Sequence, residues 1–494
     1  MEKGKQQMNK KHFRKQPINR LWFFLLLGIV LLPGGCTLAP KYTRPEAPVP
    51  AGWPSGTAYQ EPNTATGAPA AAEIAWQEFF TDPRLQQIIE TALNNNRDLR
   101  LAALNVERTR ALYGIQRAEL LPTVDAIGSG SRQRVPADLS SSGRRQITER
   151  YDANLGMASW EIDFFGRLRS LKDRALEEFL ASQQARNSAQ ILLVSSVVNT
   201  YLTLAADREN LTLAETTVKT QQDAYNLVKH RFDRGLVPEL DIFQAQTQVD
   251  TARRNVALYT QLVAQDINAL NLLAGSPIPA ELLPSDLANV SALREISAGL
   301  SSEVLLNRPD VLRAENLLKA AHADIGAARA AFFPRISLTA AVGTASKDLS
   351  GLFESGSGTW SYSPQIVMPI FDARTWFALR ATKVQREIAV TEYELAIQTA
   401  FREVADVLAI RGTVENEVAA QQSLVHAVSE TYRLSNARYD KGVDSYLNVL
   451  VAQRSLYAAQ QELVYLQLAK LTNQVRLYAV LGGGGDPLPE TTEP

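Results

Sequence analysis

One cysteine in 494 residues leaves no possibility of a disulfide within the chain, so a small fold stapled by bridges is excluded. Histidine is nearly as scarce. His12, His230, His322 and His426 are the four present, and no two stand at metal-ligand spacing. The phosphate-cradling GxxxxGK[ST], the zinc-binding HExxH and the nucleophile elbow GxSxG are all missing, which removes the common signatures of a nucleotide hydrolase, a metalloprotease and a serine hydrolase. No catalytic residue and no cofactor is therefore indicated, and the chain reads as something other than an enzyme. Glycine and proline are absent from residues 167–234 altogether, which excludes a turn anywhere in that stretch.

What is present begins with a basic front. Lys3, Lys5, Lys10, Lys11, Arg14, Lys15 and Arg20 are opposed by Glu2 alone, and residues 21–32 then read LWFFLLLGIVLL. Twelve apolar residues are too few to cross about 30 Å of hydrocarbon as a helix, so the segment reads as the core of a cleaved signal peptide. Cys36 follows Gly34 and Gly35, and small residues before a lone thiol resemble a bacterial lipobox, which makes Cys36 a lipid attachment point. Thr37 after it, where Asp would hold a lipoprotein back, implies sorting to the outer membrane. Cleavage there removes seven of the 51 basic and one of the 52 acidic residues, leaving 44 against 51. That balance disfavours a nucleic-acid partner. Residues 37–72, rich in Pro, Ala, Gly and Thr, read as an extended tether.

The rest of the chain repeats itself. RFDRGLVPELDIFQAQ from residue 231 is answered at an offset of 207 by RYDKGVDSYLNVLVAQ, and Gly114, Arg117, Ala118 and Pro122 are answered at an offset of 212 by Gly326, Arg329, Ala330 and Pro334. Each copy reads helix, two strands, very long helix, shorter helix. The 68 positions of residues 167–234 make a rod of roughly 100 Å at about 1.5 Å per residue. In the counterpart, residues 376–441, Val390, Tyr393, Ile397, Ala400, Val404, Val407, Val414, Val418, Val425, Val428, Tyr432 and Tyr439 fall on alternating three- and four-residue steps, with Arg411, Gln421 and Ser435 filling the seam. That is a coiled-coil pattern. Gly235 and Gly442 stop the two rods, and a return helix follows each.

Between residues 334 and 371 the period changes to two. Ile336, Leu338, Ala340 and Val342 alternate with polar or small residues, and so do Trp360, Tyr362, Ile366 and Met368. Tyr151, Ala153, Leu155 and Met157 do the same in the first copy, with a weaker strand near residues 123–134. Phe164, Phe165, Phe332, Phe333 and Phe371 cluster at the strand ends as an aromatic girdle does. Four strands cannot close a barrel, and an open edge in lipid leaves backbone groups unpaired at several kcal/mol each, so the expectation is an oligomer.

The stretch CTLAPKYTRPEAPVP, the stretch WQEFFTDPRLQQIIETALNNNRDLRLA from Trp76, and the two glycine-stopped tips together resemble the lipoprotein branch of the TolC-like outer membrane factors, over essentially the whole mature chain. The resemblance implies a mainly helical α+β fold in tandem duplicate. It also implies a homotrimer with a twelve-stranded membrane barrel and a periplasmic helical tube. The partners implied are a periplasmic membrane-fusion adaptor, an inner-membrane transporter of the RND type and outer-membrane lipid. Function would then be the passive exit duct of a tripartite efflux system. By position it places adaptor contacts at Arg231, Phe232, Gly235, Arg438, Tyr439 and Gly442. The chain departs from many such proteins at the constriction, where Asn448 and Val451 replace aspartates. The expectation is an apolar gate of Leu447, Leu450 and Val451, with Asp444, Asp440 and Asp241 supplying the remaining negative field.

The division that follows is residues 1–35 signal peptide, 36–75 lipidated tether, 76–122 first short helices, 123–165 first strand pair and 166–275 first helical hairpin. It continues with 276–306 equatorial linker, 307–334 second short helix, 335–371 second strand pair, 372–481 second hairpin and 482–494 tail. Metal-ion efflux and protein secretion are alternatives within the same class. A periplasmic coiled-coil adaptor or scaffold is the rival outside it, and amphipathic strands count against it.

Overall fold

Two helical rods set the shape of the chain. A computed structural model describes residues 37–59, 71, 74–290, 293–294, 296 and 301–485, so the signal segment and Cys36 lie outside the described residues. Helices α1 (Trp76–Phe79), α2 (Pro83–Asn95) and α3 (Arg97–Ala118) lead into strands β1 (Asp125–Val135) and β2 (Gln146–Ile162), then α4 (Arg167–Phe232) and α5 (Glu239–Ala274). The second half repeats the order as α6 (Pro309–Ala330), β3 (Arg335–Ser346), β4 (Gly358–Val367), α7 (Ala373–Asp440) and α8 (Tyr446–Val480).

The duplication is thereby visible in three dimensions. α3 and α6 have 22 residues each, the rods α4 and α7 have 66 and 68, and the return helices 36 and 35. Short polar side chains start several of these helices by covering their free amides. Asp82 accepts from the Arg84 N–H at 2.9 Å, Asn96 from the Leu99 N–H at 2.9 Å and Asp372 from the Arg374 N–H at 3.0 Å. α7 runs unbroken through Gly412, whose cost of about 1 kcal/mol inside a helix is small beside the packing of the seam. Every seam position read from the sequence between Val390 and Tyr439 is buried or half-buried, Arg411, Gln421 and Ser435 included.

The core sits at mid-height, where helices from both repeats converge. Tyr201, Tyr393 and Tyr478 are its largest fully buried side chains, and the Tyr478 ring stacks on Phe79 at 4.1 Å while its hydroxyl donates to the Ile74 carbonyl at 2.6 Å. An apolar window of α4 is long enough to cross a membrane by composition, yet 61% of it is buried inside the bundle, as core. The tether is a strap laid on this core. Trp53 stacks on Phe401, Ser302 donates to the Pro50 and Ala51 carbonyls, and Glu315, 3% exposed, accepts from Tyr42 at 3.0 Å and from Arg44 at 3.1 and 2.7 Å.

The strands form one antiparallel sheet in the order β1-β2-β3-β4. Its register puts Ala126, Ala153, Leu155, Met157, Trp160, Ile162, Ile336, Leu338, Val342, Trp360, Tyr362 and Ile366 on one face. Ser129, Asp152, Asn154, Ser337, Thr339, Ser361, Ser363 and Gln365 lie on the other. A bulge between Met157 and Trp160 absorbs one extra residue and keeps Trp160 on the apolar face. From Tyr151 to Ile162 that face carries no charge, and at about 3.4 Å per residue with a tilt of about 40° it stands roughly 25–30 Å tall. Phe165 stacks on Phe333 at 4.8 Å and Phe332 meets the Trp376 edge at 5.0 Å, where sheet gives way to helices.

Asp207 on α4 and Asp266 on α5 lie side by side. Burial first, and then the Asp207 charge, push Asp266 up to about 6. A carboxyl whose folded value is raised contributes stability that is whole below its ordinary 3.8 and is lost as pH rises through about 6. The expected result is a urea midpoint, read from helical circular dichroism in detergent, that falls as pH climbs through this window in the native chain. Asp266→Asn flattens the slope.

Candidate functional site at the two hairpin tips

Each rod ends in the same hydrogen-bonded stop. In the first tip the Arg231 carbonyl accepts from the Leu236 N–H at 2.9 Å and the Phe232 carbonyl from the Gly235 N–H at 2.7 Å. In the second the Arg438 carbonyl accepts from Val443 and the Tyr439 carbonyl from Gly442, both at 3.0 Å. These are paired Schellman closures, and each needs a left-handed residue, supplied by Gly235 at φ 73° and Gly442 at φ 75°. A Cβ at either position would meet nothing within 4 Å, so the backbone angle and not crowding demands glycine.

The arginines of the repeat have partners inside the tips. The Arg231 guanidinium lies 4.6 Å over the Tyr439 ring and 3.5 Å from the Asp440 carboxylate, tying the first tip to the second. Arg438 grips Asp444 in a fork at 2.6 and 3.1 Å across the turn, and that guanidinium holds the Asp444 carboxyl below its usual range. Asp440 and Asp444 thus each face an arginine of the tips. Asp241, in the first turn of α5, has its carboxyl pushed up by burial.

A small apolar core locks the two tips together. Val228, Ala245, Tyr439, Tyr446, Val449 and Leu450 are buried there, with the two tyrosine rings 5.2 Å apart. Burial pushes the Tyr446 hydroxyl up to about 12. Two of the residues expected at the tip surface lie in this packing. Leu450, 3% exposed, belongs to the inter-tip core and does not share the surface of Leu447 and Val451, which are 51% and 48% exposed. Tyr439, which the family resemblance places by position among the adaptor contacts, is covered, whereas Phe232 is exposed.

The exposed apolar surface is broader than the sequence reading made it. Leu236, Leu240 and Phe243 stand free on the first tip, and Val443, Leu447 and Val451 on the second, beside the exposed Asn448. Leu236 with Val443 and Leu240 with Leu447 are pairs at the repeat offset. The offset does not mark Phe243 as exposed, because its counterpart is the buried Leu450. Removing the stack with Arg231→Ala is expected to raise amide exchange of residues 439–446 about fivefold, the factor for roughly 1 kcal/mol. Unchanged exchange would show that the guanidinium does not hold the tip.

Residues 88–276 and 300–483 match the family model described as outer membrane efflux protein. The chain is 52% identical over 452 residues to the probable efflux pump outer membrane protein TtgC of Pseudomonas putida, across 91% of this chain and 93% of that one. It is 40% identical over 460 residues to outer membrane protein OprJ of Pseudomonas aeruginosa, across 93% and 95%. Among solved structures, a membrane protein from Pseudomonas aeruginosa superposes with a TM-score of 0.85 at 38% identity, covering 91% of this chain and 98% of that one. The Neisseria gonorrhoeae MtrE outer membrane channel in its open state does so at 0.81 and 38%, with 91% and 98% covered. With matches that span both repeats, the strands and both tips, the chain belongs to the outer membrane efflux protein family.

Proposed function

We propose that three copies of this chain close into a duct through the outer membrane, the passive exit channel of a tripartite efflux system. The observation that carries the reading is a four-stranded sheet, apolar on one face and open at β1 and β4, joined to helical rods of roughly 100 Å. A sheet with two open edges is completed in lipid by neighbouring copies. The helices support the same arrangement. α6 lies between α4 and α7, while its counterpart α3 packs on α4 and leaves Leu101, Leu104, Leu112 and Ile115 exposed. α7 in turn exposes Phe377, Val384, Ile388 and Leu395, a stripe onto which the α3 of the next copy fits.

Cys36 carries the lipid anchor, and the strap behind it leads to the core. At the far end Phe232, Leu236, Leu240 and Phe243 meet the periplasmic adaptor, with Arg231 and Arg438 holding Gly235- and Gly442-stopped turns in shape. Leu447 and Val451 form the constriction with Asn448, and an inner-membrane transporter supplies energy and selects cargo. Planar-bilayer conductance tests the gate. The double variant Leu447→Ala, Val451→Ala is expected to raise resting conductance severalfold, and Asp444→Asn to free Arg438 and move selectivity toward anions. Resting conductance indifferent to the leucine and valine substitutions would overturn it.

A further inference from the structure

The apolar face of the sheet ends at Tyr151, and the next residues on that same face are charged. Arg132 pairs in register with Glu149 and Arg134 with Ile147, one and two steps beyond the Gly130–Tyr151 pair, at the end of the sheet away from the helices. The loop joining β1 to β2 adds Arg144 and Arg145. Arg132 is bound to Glu149 at 3.0 Å, and Arg150, on the polar face, is forked by Asp152. Arg134, Arg144 and Arg145 are exposed and have no ion-pair or hydrogen-bond partner among the described residues, with Asp138 the nearby carboxylate not engaged by a basic residue. The β3–β4 loop is different, setting Lys347 against Asp348 and Glu354, so the basic excess belongs to the first hairpin.

Three unpaired guanidiniums above an apolar band match one kind of neighbour. We infer that the outer end of the β1–β2 hairpin binds the phosphates of the anionic glycolipid in the outer leaflet, with Arg134, Arg144 and Arg145 as the ligands. This rests on the proposed membrane position of the sheet. A guanidinium presents a planar fork that takes two phosphate oxygens at once, and a basic residue at an anionic membrane surface strengthens association by about fivefold. Tyr151 marks the boundary, as an aromatic ring with a polar tip does where hydrocarbon meets headgroup. Arg134 faces the lipid side by register, so its charge meets headgroups and not the lumen. Neutral lipids offer it nothing comparable.

The test uses the full-length protein in non-ionic detergent, titrated with mixed micelles of bis-phosphorylated lipid A or of the same lipid with its phosphates removed. The native protein is expected to prefer the phosphorylated form by tenfold or more, and the variant R134Q/R144Q/R145Q to lose that preference at unchanged bilayer conductance. If that variant does not assemble, R144Q/R145Q, which lies wholly in the loop, is expected to lose about fivefold per arginine. Equal binding of the two lipids, or a preference untouched by the variants, overturns the inference, as does full competition by inorganic phosphate at matched concentration. Conductance separates the two readings: a native protein that forms no channel refutes the duct, whereas a conducting variant without lipid preference supports headgroup binding.

Discussion

Unpaired backbone at the edges of one sheet governs this molecule. β1 and β4 each carry a row of amides and carbonyls with no strand beside them among the described residues. In water such an edge hydrates; beside hydrocarbon each bare group costs several kcal/mol. The apolar face is free of charge from Tyr151 to Ile162, as a lipid-facing surface requires. Under the proposed function, association of copies pairs those edges and closes a barrel with a polar interior.

Helical geometry carries that closure away from the membrane. The rods are long because no helix stop interrupts them, and in α7 the seam stays buried or half-buried from Val390 to Tyr439. Duplication then does economical structural work: α6 already sits between two rods in the chain, and α3 leaves the equivalent surface exposed. At mid-height the tether, α2 and the linker crowd around Tyr201, Tyr393 and Tyr478, which fixes the two repeats against each other. The tips lie far from both sheet and core, held by their own small cluster of tyrosines and by two arginines.

Much of this was legible in the residues. Absence of Gly and Pro gave the rods, period-two alternation gave the strands, and the offset of 207 gave the matched tips. The contacts of the tip arginines were not legible, because Arg438 with Asp444 and Arg231 with Tyr439 depend on turn geometry and on two helices meeting. The burial of Leu450 was not legible for a similar reason. Leu447, Leu450 and Val451 lie within one helical turn, and the sequence does not say which of them faces the neighbouring hairpin. The strap's anchorage through Glu315 to Arg44 and Tyr42 was not legible either, because it joins residues 271 and 273 positions apart.

Assembly is the point at which the account is most exposed. Amide exchange of the detergent-extracted protein, read together with its native mass, addresses it directly. The account predicts a three-copy particle in which β1 and β4 are as protected as β2 and β3. A single-copy particle whose β1 and β4 amides exchange as fast as those of the loops would contradict it.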